Sequence, residues 1–415
     1  MSAAPTTSRG ALAVVFATVF LDLVGFGLII PVQAFYAESF GARPAVVTLL
    51  GASYSLMQFL FMPFWGRLSD RIGRRPVILS SVAISCLGFL LFGMAGSLPM
   101  LFGARMLAGF GNANIGVAQA VIADTTRPED RAKGMGLIGL AFGLGFVIGP
   151  AIGGTLGQYS LQAPPLAAAV LAACNWLSAW FLLPETLQKN GQPKPDRKLQ
   201  RKEILAKPQV IRLMVLSLVI TTGFALMEQV LALFVEHHWV PEAHVAATAD
   251  AGRKRAALLT TYVLLTVGVT MSVVQGGLIG KMAKRFGESR LIRVGCGITI
   301  VGLVLQPLIG EAQLFGLLLV NAVVLAFGQG MTTPSITGLL SRTVGPFQQG
   351  TALGLGQSMA ALGRVLGPGI SGTLFELGNR WPFWTGAGLV FVGLLVALPL
   401  QTPPQQAAIV PLEPE

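Results

Sequence analysis

Twelve apolar runs, each about the length needed to cross a bilayer, leave this 415-residue chain very few folds. They begin near Ala11, Ala45, Pro76, Leu98, Met135, Leu166, Val210, Ala256, Leu291, Ala312, Thr351 and Pro382. About 20 apolar residues in helical form cover the hydrocarbon core. Backbone polar groups in lipid must be satisfied internally, so runs this long are helices and not strands. The class expected is an all-α membrane protein with 12 transmembrane helices. Charged residues are 11% of the chain, well under the roughly 25% of a soluble domain.

The net charge of +11 is placed, not scattered. Arg67, Arg71, Arg74 and Arg75 fill the loop after the second run, and Arg127, Arg131 and Lys133 the loop after the fourth. Lys194, Arg197, Lys198, Arg201 and Lys202 lie in the central polar segment, and Lys281, Lys284, Arg285, Arg290 and Arg293 after the eighth run. The other side has Arg43, an Arg253-Lys-Arg255 cluster and Arg380. Basic loops mark the cytoplasmic side, which places both termini in the cytoplasm and the protein in the plasma (inner) membrane. A nucleic-acid footprint would interleave stacked aromatics with the charge, and none is present. The first run, 11–35, is too long for a signal-peptide core and reads as an uncleaved span. Cys86, Cys174 and Cys296 are scattered inside apolar runs and read as packing residues. His237, His238 and His244 fall after the seventh run, where an outer loop and solvation are expected. No metal site, cofactor site or phosphate-cradling loop is expected.

Two internal repeats set the organisation. Gly66-Arg-Leu-Ser-Asp-Arg-Ile-Gly-Arg-Arg75 returns in worn form as Gly280-Lys-Met-Ala-Lys-Arg-Phe-Gly-Glu-Ser289, an offset of 214 (66 to 280). Gly145-Phe-Val-Ile-Gly-Pro-Ala-Ile-Gly-Gly154 returns as Gly363-Arg-Val-Leu-Gly-Pro-Gly-Ile-Ser-Gly372, an offset of 218 (145 to 363). Two near-equal offsets imply two related six-span bundles, 1–187 and 210–415, joined by a polar linker at 188–209. Parallel repeats of this kind are related by an axis along the membrane normal, with the binding site between them.

These residues carry a family resemblance over essentially the whole chain. The Gly66–Arg75 hinge resembles the signature of the major facilitator superfamily, Gly-x-Leu-(Ala/Ser)-Asp-Arg-x-Gly-Arg-(Arg/Lys). The glycines around Pro150 resemble the motif of drug/proton antiporters, and Arg105-Met-Leu-Ala-Gly109 resembles that family's proton-linked arginine motif. Leu21-Asp-Leu-Val-Gly-Phe-Gly-Leu-Ile-Ile-Pro31, Ile122-Ala-Asp124 and Leu183-Pro-Glu-Thr186 are similar to tetracycline-type efflux pumps. Those pumps also carry acids in the third and ninth spans, whereas Pro76–Gly96 and Leu291–Gly310 contain none. The resemblance therefore implies the major facilitator fold and export of a small amphipathic compound in exchange for protons, with tetracycline not singled out. Proton-coupled import of a nutrient, and a non-transporting receptor or scaffold, stand as alternatives.

Candidate residues follow from depth and chemistry. Asp22, in the middle of the first span, is the first choice for proton coupling, because an intramembrane carboxylate costs about 2.5–3.5 kcal/mol on insertion scales. Arg105, Gly109, Asn112, Gly116 and Gln119 are spaced 4, 3, 4 and 3, a single helical face expected to meet a wet cavity or another helix. The resemblance gives Arg105 a part in proton transfer, by tuning Asp22. Glu228 is a candidate second proton site or cation attractor, and Asn112, Gln119, Gln229 and Arg364 are candidates for the substrate cavity. Gly66, Asp70, Arg71, Gly73, Arg74 and Asp124 form a candidate gating latch. The resemblance implies that Asp70 braces the helix starting near Gly350 and that Arg74 pairs with Asp124. Lys284 replaces the acid in the worn copy, so only the first-half latch is expected to be intact. Gly145, Gly149, Gly153 and Gly157 step by four, a spacing that lets helix backbones approach closely. Pro150 and Gly154 complete this antiporter motif.

Overall fold

The computed structural model describes residues 9–125, 131–187, 202–240, 249–345 and 348–401. Arg127, most of the basic linker, His244 and both chain ends lie outside these. The described residues form helices α1 (Arg9–Glu38), α2 (Pro44–Ile72), α3 (Arg74–Gly93), α4 (Leu98–Gly111), α5 (Ile115–Thr125), α6 (Arg131–Gly157) and α7 (Ala163–Leu182). The second set is α8 (Pro208–Trp239), α9 (Ala249–Val273), α10 (Ile279–Phe286), α11 (Glu288–Glu311), α12 (Phe315–Thr343), α13 (Gln349–Leu377) and α14 (Trp381–Ala397). Among the described residues there is no strand. Eight of the helical segments are long and apolar enough to cross a membrane, with shorter apolar helices at Gly143–Gly157 and Trp381–Ala397.

Helix starts follow local chemistry. Proline occupies the first turn of α2, α4, α7, α8 and α14, where its missing N–H leaves no helical bond unmade. The α2–α3 hinge turns at Gly73, whose φ of 116° lies in the left-handed region that side chains resist.

Two spans differ from expectation. The fourth is broken: α4 stops at Gly111 and helix resumes at Ile115, so the expected stripe from Arg105 to Gln119 is not one continuous face. Gly111 sits against α3, where a Cβ would come within 2.6 Å of Ser85 N and 2.7 Å of Ser81 O. The residues between are Asn, Ala and Asn, and asparagine side chains compete with the helix for backbone partners. The eighth span carries a π-helical turn, Val274–Leu278, between α9 and α10, a local widening that often accompanies function. The Arg253–Arg255 cluster, expected in a loop, lies inside α9, and His237 and His238 form the last turn of α8.

The halves are hydrogen-bonded to one another at one end and also touch along α6 and α9, where a Cβ on Gly268 would come within 2.8 Å of Phe146 O. Direct hydrogen bonds between them join the ends far from the hinge: Ala45 N donates to Glu376 Oε1 (3.1 Å), Gly372 N to Thr48 Oγ1 (3.1 Å) and Gln158 Nε2 to Lys254 O (2.8 Å). One buried cluster there unites Val24, Phe35 and Tyr54 of the first half with Ala232, Leu233 and Ala256 of the second. At the hinge end, Val15, Trp65, Val77 and Val121 pack in a cluster of first-half residues alone.

Candidate functional site

Asp22 lies on α1, 8% exposed. Its Oδ2 accepts a hydrogen bond from Asn114 Nδ2 (3.4 Å) and its Oδ1 one from Asn175 Nδ2 (3.1 Å). Asn114 stands at the break in the fourth span and also donates to Ser81 Oγ (2.8 Å); Asn175, on α7, also donates to Thr18 O (3.2 Å). The break in the fourth span and α7 thus converge on one carboxyl of α1, with α3 joined to it through Asn114. Its recorded partners are neutral amides, and among the described residues it makes no ion pair. Neither asparagine was among the sequence candidates, since an isolated amide in an apolar run has no periodicity to betray its direction.

Arg105 does not pair with Asp22. Its guanidinium, 2% exposed, lies 4.5 Å from the Tyr54 ring centroid, 5.7 Å from Phe26 and 5.8 Å from Phe92. Desolvated cation–π contacts contribute on the order of 2 kcal/mol or more, while Arg105 Nε and Nη1 are buried without a hydrogen-bond partner. Tyr54 stands between the charged groups and feels the fields of Arg105, Asp22 and Arg364. Gln58 Nε2 donates to the Tyr54 hydroxyl (3.2 Å) and to Asn112 O (3.1 Å). Asn112 is buried, and Gln119 is partly exposed on α5. In the second half Glu228 and Arg364 attract one another from α8 and α13. Gln229 reaches back to the first half: a Cβ on Gly51 of α2 would collide with its Oε1.

The hinge residues build a compact ionic joint. Arg74 Nη1 lies 2.8 Å from Asp70 Oδ1 and its Nε 3.0 Å from Asp124 Oδ2, while Nη1 also donates to Ser69 Oγ (2.6 Å). These contacts tie α2, α3 and α5 together inside one half. Gly66 faces open space and Arg71 is exposed in the last turn of α2. Helix α13 begins at Gln349, where the resemblance locates the partner of Asp70. Glu185, beyond the end of α7, accepts from the backbone N–H of Arg74 (2.9 Å), Thr186 (2.9 Å), Leu187 (2.9 Å) and Arg75 (3.3 Å). Burial raises the pKa of this carboxyl, but the four N–H donors outweigh it and hold the group below its ordinary value. An anion at a helix N-terminus satisfies otherwise orphaned donors. Gly73 is doubly required there, since a Cβ would also strike Glu185.

The second half contains a joint that the worn hinge concealed. Glu288 opens α11 and its Oε1 lies 2.5 Å from Arg342 Nη1 in the last turn of α12. Position 288 is 214 beyond 74, and 342 is 218 beyond 124, the offsets of the two sequence repeats. The pair is therefore the counterpart of Arg74–Asp124 with its charges exchanged. Lys284 still stands where the acid of the first hinge stands, so the two joints are alike in this pair and not in the Asp70 contact.

The antiporter-motif glycines divide between two neighbours. A Cβ on Gly145 would lie 2.7 Å from Leu23 Cβ, one on Gly149 2.7 Å from Gly27 Cα, and one on Gly153 would meet Leu28 O, all on α1. Gly154 instead faces Thr261 of α9, in the other half. The repeat behaves alike: Gly363 and Gly367 press α8 at Leu218 and Ala225, and Gly372 presses Pro44 and Thr48 of α2. Pro150 sits inside α6, which stays helical through it.

Paired helical bundles with a polar seam of buried acids, amides and arginines define a multi-pass membrane transporter. The major facilitator superfamily model matches residues 15–310 and 257–414, and the chain belongs to that family. The class E tetracycline resistance protein of Escherichia coli is 33% identical over 91% of this chain and 92% of its own. Multidrug resistance protein 2 of Bacillus subtilis (strain 168) is 28% identical over 92% of each. Among solved structures, a bacterial homologue of the human lysosomal transporter Spinster, in an inward-facing and occupied conformation, superposes with a TM-score of 0.74. It shares 16% identity and the match covers 95% of this chain and 97% of that one, which speaks for the fold.

Proposed function

We propose that this protein exports a small amphipathic compound, a drug among them, across the inner membrane in exchange for protons, with both termini in the cytoplasm. The observation carrying the reading is Asp22: an intramembrane carboxyl held by two amides and, among the described residues, in no ion pair. Leaving it charged is costly, and binding a proton removes that cost. The Asn114 and Asn175 side chains hold the group in place in either form, since amides can serve as donors or acceptors. Alternating access would then expose Asp22 to each side in turn. In the conformation described, the ends away from the hinge are joined, so the passage opens toward the hinge, the cytoplasmic side by the distribution of basic residues. Arg74, Asp70 and Asp124 keep the first half rigid as it rocks. Asp70 is suited to meet the start of α13 when the hinge ends close, and Glu288–Arg342 stiffens the second half. Arg105 shapes the field at Tyr54 beside Asp22, and Glu228 with Arg364, Gln229 and Asn112 border the seam where substrate would pass. The names of the similar proteins support drugs as the substrate class. A proton crossing a 100 mV potential releases about 2.3 kcal/mol, sufficient to drive export without ATP.

The test is efflux of dyes and antibiotics from cells producing the protein, with and without a protonophore. Protonophore-sensitive efflux is expected from the parent protein and none from Asp22→Asn at equal abundance in the membrane. Undiminished efflux by Asp22→Asn would end the proposal.

A further inference from the structure

A small cavity lies between the halves, bordered by Ile30 and Gln33 of α1, Glu228 and Gln229 of α8, and Thr260 and Leu264 of α9. Its volume of about 20 Å³ admits one particle the size of a water molecule. Three of its lining atoms are buried without a hydrogen-bond partner: Gln33 Oε1, Gln229 Oε1 and Thr260 Oγ1. Gln33 is 8% exposed and Thr260 1%. Each such atom carries an uncompensated desolvation cost while nothing satisfies it. The fourth polar contributor is the carboxyl of Glu228.

The chemistry of this set is one-sided. Two of the unsatisfied atoms are carboxamide oxygens and the third is a hydroxyl, and the nearby ionisable group is an acid, a set that repels an anion. A neutral water can donate to the two carboxamide oxygens and accept from the Thr260 hydroxyl, but it brings no positive charge to set against the Glu228 carboxylate. A substituted ammonium is too large for the space. Carboxylate, carboxamide and hydroxyl oxygens together suit a hard cation. Mg²⁺ demands octahedral geometry and keeps several waters, for which there is no room. Arg364, from α13, is the charged group acting on Glu228 and lowers the net negative charge, which further favours a single positive charge.

We propose that this cavity binds one compact monovalent cation, sodium or hydronium, between Gln33 of the first half and Glu228, Gln229 and Thr260 of the second. It deepens the part given to Glu228 above and rests on that reading for its place in the cycle, not for its test. Because the oxygens come from both halves, the site is whole only while the ends away from the hinge are joined. A cation held there stabilises this conformation over the one in which α1 and α8 part, and ligands shift equilibria only through such differential affinity. Gly51 contributes by letting α2 press against Gln229, with Gln33 Nε2 3.4 Å from where a Cβ would stand.

The experiment is thermal unfolding of the purified full-length protein, without substrate, in NaCl or in choline chloride of equal ionic strength, across a pH series. Thr260→Val and Gln33→Met keep side-chain volume while removing one oxygen each. A saturable, sodium-specific rise in Tm is expected, its half-saturating concentration moving up at least about tenfold, the equivalent of 1.4 kcal/mol, in both variants. Stabilisation by acid alone, equally in both salts and blunted in both variants, assigns the site to hydronium and upholds it. The proposal is overturned if sodium and choline behave alike with no acid response. It is also overturned if both variants respond as the parent does, which would mean a water in the cavity or Glu228 titrating by itself. Loss of Asp22-dependent efflux bears on neither result, so the two readings fail separately.

Discussion

Asp22 is held by residues that stabilise it and one another, so its surroundings can be tested apart from the acid itself. Asn175 Nδ2 serves both Asp22 and the carbonyl of Thr18, joining α7 to α1 at the depth of the carboxyl. Asn175→Leu fits the site in size but strips both acceptors of a donor. Unsatisfied buried acceptors cost about 1–3 kcal/mol each, and a lower Tm of the purified protein is expected together with weaker proton-driven efflux. Full efflux with an unchanged Tm would show that the amide positions nothing. The acid was legible from sequence, since a carboxyl inside an apolar run stands out by cost alone. Its amide partners were not, because Asn114 occupies a helix break that a periodic reading of the fourth span ran straight through. Arg105 was legible as a cation inside a span, but the rings that surround it were not. Rings at Phe26, Tyr54 and Phe92 face its charge while Nε and Nη1 keep no hydrogen-bond partner, and aromatic residues in apolar runs carry no mark of that use.

Helix ends are where this molecule keeps its ionic joints, and the two halves solve the same problem with opposite charges. Arg74 begins α3 and meets Asp124 near the end of α5, whereas Glu288 begins α11 and meets Arg342 near the end of α12. The second arrangement gains from helix dipoles, an acid at an N-terminus and a cation at a C-terminus, by typically 0.3–1 kcal/mol each. The first places a cation at the start of α3, and Glu185 supplies the missing anion there through the backbone N–H groups of Arg74 and Arg75. Breaking a buried pair costs on the order of 3–5 kcal/mol, discounted here because the Arg342 side chain is 36% exposed. Glu288→Arg and Arg342→Glu should each lower Tm and efflux, and the double exchange should recover most of both. Losses that simply add in the double variant would mean that the pair does not couple the helices. Matching the hinge copy residue by residue missed this joint, because Lys284 stands where the acid of the pattern should be. The offset was the better guide: it leads from Arg74 to Glu288 and, through the second repeat, from Asp124 to Arg342.

At the scale of the whole molecule, the glycine rows set how the halves move. Gly145, Gly149 and Gly153 seat α6 on α1, and Gly363 and Gly367 seat α13 on α8, so each row belongs to the inside of one half. Gly154 and Gly372, at the ends of the two motifs, touch Thr261 and Thr48 across the division. The fold, the twelve spans and the repeat were legible in sequence because length, apolarity and offset are one-dimensional properties. Which glycine of an adjacent pair faces home and which faces across was not, because that depends on the rotation of the helix. The division separates two functions within one motif: close packing within a half, and a removable contact between halves. A side chain at position 154 has no room beside Thr261 while those ends are joined, and gains room only when they part. Gly154→Leu is therefore expected to populate the state open at the end away from the hinge, and to abolish transport while leaving the protein folded in the membrane. A cysteine placed at Gln158, whose side chain now bonds Lys254 O across the same contact, should become several-fold more reactive toward a membrane-impermeant maleimide added outside. Unchanged labelling beside a Gly154 control would mean that this contact is not the one that opens, and that the halves part along another line.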